Sequence, residues 1–546
     1  MIRCPPMNSE QRYLLAVFLS FLVLIIFYVM PAQKTETARR AEQPDEAAQI
    51  QKQNSLQETV TAKQPELTPS PVRPEETYDL ESDMYLFRFT SRGAGVSKLE
   101  IRNWSERKVE PVTLIDAQSD IPAFAIDIQN QPFGLSKAHF QLEQLDKTNK
   151  EIDFVLNLPT QLRIRKHYEL VPHTPAFRLV VEIENLSSET KTLPLELFNE
   201  IYFGEAHGHY DQDQQESFLV PPTGKIRVIK SGRVKQKPFI LDQTLEWQAL
   251  TRKYFAVIVK PAEPASGART DYDSKLHYMK TSLRFPPVSL PAGGKIEKSF
   301  LVYAGPEYYK NLKSFDMGFE QTLSQGTWGL FRHWLFLSLQ FCEKMTGNYG
   351  FAILLMTFIL KILFSPFTHM SFESMRKMQV VQPKVKALQT QYKNDPTRMN
   401  KEMMELYKRH KVNPMGGCLP MLIQIPIFIG FYQVLAQYVE LKGEALWWIK
   451  DLTEPDRLAR LPFIGVDFNL LPILMIITMI AQQRVTPKQS FGSPQQAQMM
   501  QWMPVAFGFF FYALPSGLVL YWTLNNLLTV IHQMVIHHRS PLEQAA

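Results

Sequence analysis

The chain has 546 residues and a net charge of +6, too small a bias to argue for nucleic acid, and a length that admits several domains. Its three cysteines, Cys4, Cys342 and Cys418, form no Cys-x-x-Cys or His/Cys ligand pattern, so neither a disulfide framework, a metal site nor a cofactor is expected. The mean hydropathy of -0.17 averages two unlike regions, because the apolar stretches cluster at the N-terminus and beyond residue 345.

Tyr13 to Met30 is an apolar run preceded by Arg3 and Arg12, long enough to cross a bilayer and followed by a poor cleavage site. Residues 1–30 are expected to be an uncleaved transmembrane anchor. Residues 31–77 are rich in Gln, Glu, Thr, Ala and Pro, with Pro65, Pro69, Pro71 and Pro74, and read as a disordered tether.

From 78 to 315 the apolar period becomes two: Met84–Phe89, Leu162–Arg165, Phe177–Ile183, Tyr254–Val259 and Ile296–Tyr303 read as strands. The pattern predicts an all-β domain, a large antiparallel sandwich. It carries no nucleophile elbow, phosphate loop or metal cluster. His207 and His209 are its only close histidine pair, with no third ligand, so they read as a loop rather than a metal site, and because the spans hold no Ser/His, Asp-pair or His-Glu-x-x-His arrangement no enzyme is expected.

Residues 320–345 include Trp328 to Phe341, aromatic and amphipathic but interrupted by Arg332, His333 and Gln340. That composition predicts a helix lying along the membrane interface. Five further apolar segments follow, at about 349–365, 419–438, 468–483, 500–514 and 517–536, the last two parted by Pro515-Ser516-Gly517.

Charge sets their orientation. Residues 366–418 hold ten Lys and Arg against four acids, whereas 440–467 hold four against six. The positive-inside rule places the first loop in the cytoplasm and the second outside, which puts the β-domain outside and both chain termini inside. In the basic loop, Met375, Met378, Val381, Val385, Leu388 and Tyr392, then Met399, Met403 and Leu406, recur at steps of three and four. Asn394-Asp395-Pro396 divides them, so a helical hairpin is expected. Its methionines offer adaptable apolar contacts, and its cations, among them Lys384, Lys408 and Arg409, suit anionic lipid or ribosomal RNA.

Lys361 lies inside the apolar span Phe351–Phe364. A lysine at mid-membrane costs ~2.5 to 3.5 kcal/mol, so it faces water, a partner or a cavity. Thr357 and Ser365 lie four residues to either side, on the same helical stripe. The competing reading is that Lys361 snorkels to the headgroups because Pro366 ends the span. Gln424, Gln433 and Gln437, then Thr478, Gln482 and Gln483, then Tyr521, Asn525 and Thr529 add polar groups to the other spans. They suit a wet cavity or ordinary interhelical hydrogen bonds. Phe351–Phe364 and Phe468–Ala481 are also short for a bilayer, which thins or distorts the lipid around them.

Asn348-Tyr-Gly350, Thr357-Phe-Ile-Leu-Lys361, Gln382-Pro-Lys384, Glu402-Met-Met404, Leu406-Tyr-Lys408, Lys411-Val-Asn-Pro-Met-Gly-Gly-Cys-Leu-Pro420, Gln424-Ile-Pro-Ile-Phe428 and Leu514-Pro-Ser-Gly-Leu-Val-Leu-Tyr521 together resemble the YidC/Oxa family of membrane protein insertases. The anchor, tether and β-domain resemble its Gram-negative form. The resemblance implies an inner-membrane insertase and chaperone with a periplasmic β-supersandwich and six transmembrane helices. Five of these would form a core at 346–538 around a hydrophilic groove open to cytoplasm and lipid. Candidate groove residues are Lys361, Thr357, Ser365, Gln424, Pro426, Gln433, Tyr521, Trp522 and Asn525. The family's groove cation is usually arginine, and Lys361 keeps the charge without the planar fork. Tyr521 matches a client-contacting tyrosine, and Trp522 replaces a second aromatic. Implied partners are nascent membrane proteins, the bilayer, the Sec translocon (SecYEG, SecDF) and the ribosome, with tail docking weakened by the short segment 539–546. A small-solute or ion transporter is the alternative, but no inverted repeat supports it.

Overall fold

The computed structural model describes residues 74–103, 111–116, 121–128, 134–200, 215–273, 278–324, 329–392, 395–410, 412, 419–460, 467–486 and 494–539. The expected anchor, nearly all of the tether, the His207/His209 pair and residues 540–546 lie outside the described residues. The chain divides into two units, Met1–Glu75 and Glu76–Ala546, and the elements below belong to the second.

Strands fill the region from Thr77 to Pro306 and form an antiparallel nine-stranded sheet, a five-stranded sheet, a four-stranded sheet and a short two-stranded one. Alternation decides which side chains face inward. In Leu162–Leu170 the buried file is Leu162, Ile164, Lys166, Tyr168 and Leu170, while Arg163, Arg165, His167 and Glu169 face out. Phe177, Leu179, Val181 and Ile183 repeat the pattern on the adjacent strand, Ala176–Asn185.

Lys166 is a fully buried cation in that apolar file. Its Nζ donates to the carbonyls of Gly93 at 3.1 Å, Ala94 at 2.7 Å and Phe124 at 2.7 Å. Ala94 and Phe124 have φ of +41° and +61°, a region that side-chain-bearing residues rarely occupy, so the ammonium pins two strained loop positions. Burial pushes its pKa well down, while the three carbonyls, one for each ammonium N–H, oppose that shift by binding the charged form.

The strand Phe255–Pro261 is buried on both faces. Phe255, Val257 and Val259 enter the β-core, whereas Ala256 and Ile258 join Phe218, Val220, Trp247 and Tyr303 in a second core shared with the helices. The β-domain therefore packs directly onto the helical half.

That half consists of α1 (Gly329–Thr346), α2 (Tyr349–Leu363), α3 (Ser365–Gln391), α4 (Pro396–Arg409), α5 (Leu419–Gln437), α6 (Leu470–Val485), α7 (Pro494–Phe511) and α8 (Ser516–Arg539). Among the described residues no single helix is long and apolar enough to cross a membrane; α1 and α2 are so only as a pair, bent by 115°. The bend has a local cause. Gly347, at φ +72°, ends α1, and the Asn348 side chain accepts from the backbone N–H of Gly350 and Phe351 to cap α2. Asp395 caps α4 in the same way, with Pro396 at its first turn. A single residue, Phe364, separates α2 from α3, so the helical hairpin follows the preceding span without an intervening loop.

One loop organises three helix N-termini. Asn348 Nδ2 donates to the Ala445 carbonyl, Asp456 Oδ2 accepts from the N–H groups of Leu470 and Leu471 at 2.9 Å, and the Glu454 and Leu452 carbonyls accept from Ser516 and Gly517. Lys442 braces this loop through Asp451 at 3.1 Å and Glu454 at 2.9 Å. Its acids sit where the helix dipoles favour negative charge.

The joint between the two halves contains buried carboxyl groups. Glu440 Oε1 accepts from the Tyr309 backbone N–H at 2.8 Å, and Glu307 is buried at the end of the last strand. Trp247 meets Phe319 edge-on, and Phe336 stacks on Tyr438. Burial raises the Glu307 carboxyl from 4.5 to about 8 and that of Glu440 to about 7. Between pH 4.5 and about 8 the native joint holds protons that the unfolded chain has released, so stability falls as pH rises through that window. Below it both states are protonated and the slope vanishes. Thermal unfolding in detergent is expected to lose up to ~1.4 kcal/mol per pH unit per group, and Glu307→Gln to flatten the profile. An unchanged profile in that variant would exclude Glu307 as the source.

Candidate functional site

α8 packs along α2 and α6 and also touches α5. In α2 the Lys361 side chain is partly buried, and its Nζ donates to Thr529 Oγ1 of α8 at 2.6 Å. Thr529 in turn donates to the Asn525 carbonyl, so its lone pairs face the ammonium. Among the described residues no carboxylate lies within 4.0 Å of Lys361. An ammonium carries three donors, and this geometry uses one.

Thr529 belongs to a stripe on α8, Tyr521, Asn525, Thr529 and Gln533, at steps of four. At one end Tyr521 is buried; its hydroxyl accepts from Gln424 Nε2 of α5 and its ring stacks on Phe431 at 4.8 Å. At the other end Gln533 donates to Thr486 just beyond α6 at 3.0 Å. Lys361 meets the stripe between these ends. The spacing was available in the sequence, but Thr529 was absent from the candidate set.

The other candidates have varied surroundings. Thr357 is buried and its hydroxyl donates to the Ile353 carbonyl of its own helix, so it is not an open neighbour of Lys361. Gln433 accepts from Arg332 of α1 at 3.4 Å. It stands nine residues from Gln424, about half a turn around α5, which turns it away from Tyr521. Ser365 opens α3, and Pro426 sits inside α5, where it removes one helix N–H. Trp522 packs with Phe428, Phe507 and Phe511, and among the described residues its buried Nε1 finds no hydrogen-bond partner, nor does Asn526 Nδ2. Asn525 is partly buried beside them.

In the hairpin, Met375 is buried, and Met378 and Met403 pack against Val381, Val385 and Val412. Met378 and Met403 thus form the contact between α3 and α4, and none of the three is a free apolar patch. Lys384 Nζ lies 3.3 Å from His410 Nε2; Lys408 and Arg409 are exposed, the latter paired with Glu405 at 3.2 Å.

Residues 77–338 match a family described as the YidC periplasmic domain, and residues 341–543 match one described as the 60Kd inner membrane protein. The chain is 31% identical over 564 residues to the membrane protein insertase YidC of Syntrophus aciditrophicus, covering 97% of this chain and 100% of that one. It is 30% identical over 547 residues to the membrane protein insertase YidC of Geotalea daltonii, again covering 97% and 100%. A crystal structure titled as an active YidC insertase with the first transmembrane domain resolved aligns at a TM-score of 0.37 and 19% identity, over 84% of this chain and 92% of that one. On the length and identity of the curated matches, this chain, an inner-membrane protein with an all-β periplasmic domain and a helical C-terminal half, belongs to the YidC family of membrane protein insertases.

Proposed function

We propose that this chain inserts nascent membrane segments beside Lys361. The partly buried ammonium, which among the described residues donates to Thr529 alone and so has two further donors to offer, carries the reading. Polar or acidic residues of an incoming segment are held by Lys361 and the polar stripe of α8 while the adjoining apolar segment partitions into lipid. Burial of apolar surface at ~25 cal/mol per Å² drives release without a nucleotide. Gln424 and Asn525, both partly buried, border the proposed route, while the buried Tyr521 holds Gln424 in place and Trp522 packs among Phe428, Phe507 and Phe511.

In the proposed topology both termini and the α3–α4 hairpin are cytoplasmic and residues 31–345 periplasmic, on the charge contrast between the two loops. The N-terminal anchor and α2, α5, α6, α7 and α8 supply the six spans, and α1 lies along the interface. Its exposed Leu330, Trp334, Leu337, Phe341 and Met345, at steps of three and four, support that placement. Lys384, Lys408 and Arg409 give the hairpin a basic surface for headgroups or the ribosome. SecYEG and SecDF are proposed partners through the family resemblance.

Reconstitution tests the activity. Liposomes holding the purified chain should protect a radiolabelled single-span client from external protease, and empty liposomes should not. Equal protection in both would refute insertion. No observation favours a transporter.

A further inference from the structure

α2 has 15 residues and spans about 22 Å, short of a hydrocarbon core of about 30 Å. The interruption after it is slight. Pro366 lacks an N–H, yet Phe364 N–H donates to Leu360 O at 2.9 Å and Thr368 N–H to Phe364 O at 3.0 Å, so helical bonding carries across the break. α2 and α3 are a kinked rod rather than a helix, a loop and a second helix.

The outward face of this rod stays apolar beyond the kink. Leu363, Phe367 and Met370 are 58%, 47% and 61% exposed at steps of four and three, continuing the exposed Phe358 and Ile362 of α2. The same face then turns charged, with the exposed pair Glu373 and Lys377 joined at 2.8 Å. His369 is also exposed, and it lies one turn from Glu373, within reach of a headgroup layer. From Tyr349 to Met370 the path along the helix axis is about 33 Å, which supplies the length that α2 alone lacks.

We infer that the first six residues of α3 are embedded in lipid. Leu363, Phe367 and Met370 contact acyl chains of the cytoplasmic leaflet, and the headgroup boundary lies at Glu373 rather than at Ser365. The occupant is lipid because the surface continues the outward face of a proposed spanning helix and ends where charge begins. The assignment rests on the orientation proposed above and deepens it. Lys361 then stands about 18 Å from Tyr349 and about 14 Å from Met370, near mid-membrane and beyond simple snorkelling to the headgroups.

Spin-label accessibility tests the boundary. Leu363→Cys, Phe367→Cys, Met370→Cys, Glu373→Cys and Lys377→Cys are labelled in a chain whose Cys4, Cys342 and Cys418 are replaced by alanine and which still inserts client. Each is reconstituted without client in liposomes of phosphatidylethanolamine and phosphatidylglycerol. Collisions with oxygen should exceed those with a water-soluble nickel chelate at 363, 367 and 370, and the ratio should invert at 373 and 377. Nickel access at 367 and 370 would overturn the inference, as would low access of both reagents, which marks a surface covered by protein. Because no client is present, a boundary at Ser365 would refute the depth while leaving insertion at Lys361 to be judged by protease protection.

Discussion

Lys361→Ala is expected to slow insertion of clients with acidic translocated segments at least roughly tenfold, and of uncharged clients far less. A carboxylate about 4 Å from an ammonium gains up to ~4 kcal/mol at an effective dielectric of 20, and only part of this survives in a wet site. A loss of ~1.4 kcal/mol already gives the tenfold change. Thr529 cannot substitute, because its hydroxyl proton is committed to the Asn525 carbonyl. Lys361→Arg keeps the charge and is expected to retain activity. Protease-protected fractions over time, for one client with its translocated acids intact and the same client with amides, measure the difference. Equal slowing of both clients would show that Lys361 supports the fold rather than attracts the substrate.

Lys166→Met should destabilise the β-domain by roughly 2 to 6 kcal/mol, from two carbonyls left buried and unpaired at ~1 to 3 kcal/mol each. Those carbonyls belong to Gly93 and Phe124; Ala94 O keeps the hydroxyl of Tyr168 at 2.7 Å. For a domain of this size the melting temperature should fall on the order of 10 °C. Circular dichroism of the full chain in detergent, followed at the β-sheet minimum, reads the change. A shift within about 2 °C would mean that water enters and replaces the ammonium.

The strands were legible because period two is written plainly in segments such as Phe177–Ile183 and Ile296–Tyr303. Their docking onto helices was written less plainly. The unbroken apolar run Phe255-Ala-Val-Ile-Val259 reads as a strand, and only its lack of polar alternation hints that both faces are covered. Lys166 was illegible for a different reason: its acceptors lie more than 40 residues away in sequence, on loops that no local pattern couples to it.

At the candidate site, Lys361 announced itself as a charge in an apolar span, whereas its partner Thr529 is 168 residues distant. Gln433 and Gln424 looked alike in composition, but the helix turns them to opposite sides of α5. The hairpin methionines looked available because periodicity shows which residues share a face and does not show what covers it.

The loop that caps α2, α6 and α8 acts as a fulcrum. It fastens three rods at their starting ends, so any relative displacement of those rods would be smallest there and grow with distance from it, as in forceps. Thr486 and Gln533 join α6 and α8 again near their far ends, making those two a single jaw, with the α2–α3 rod as the other. The Lys361–Thr529 bond ties the α2–α3 rod to that jaw, so in the proposed function an arriving carboxylate that drew the ammonium away would loosen the seam between them.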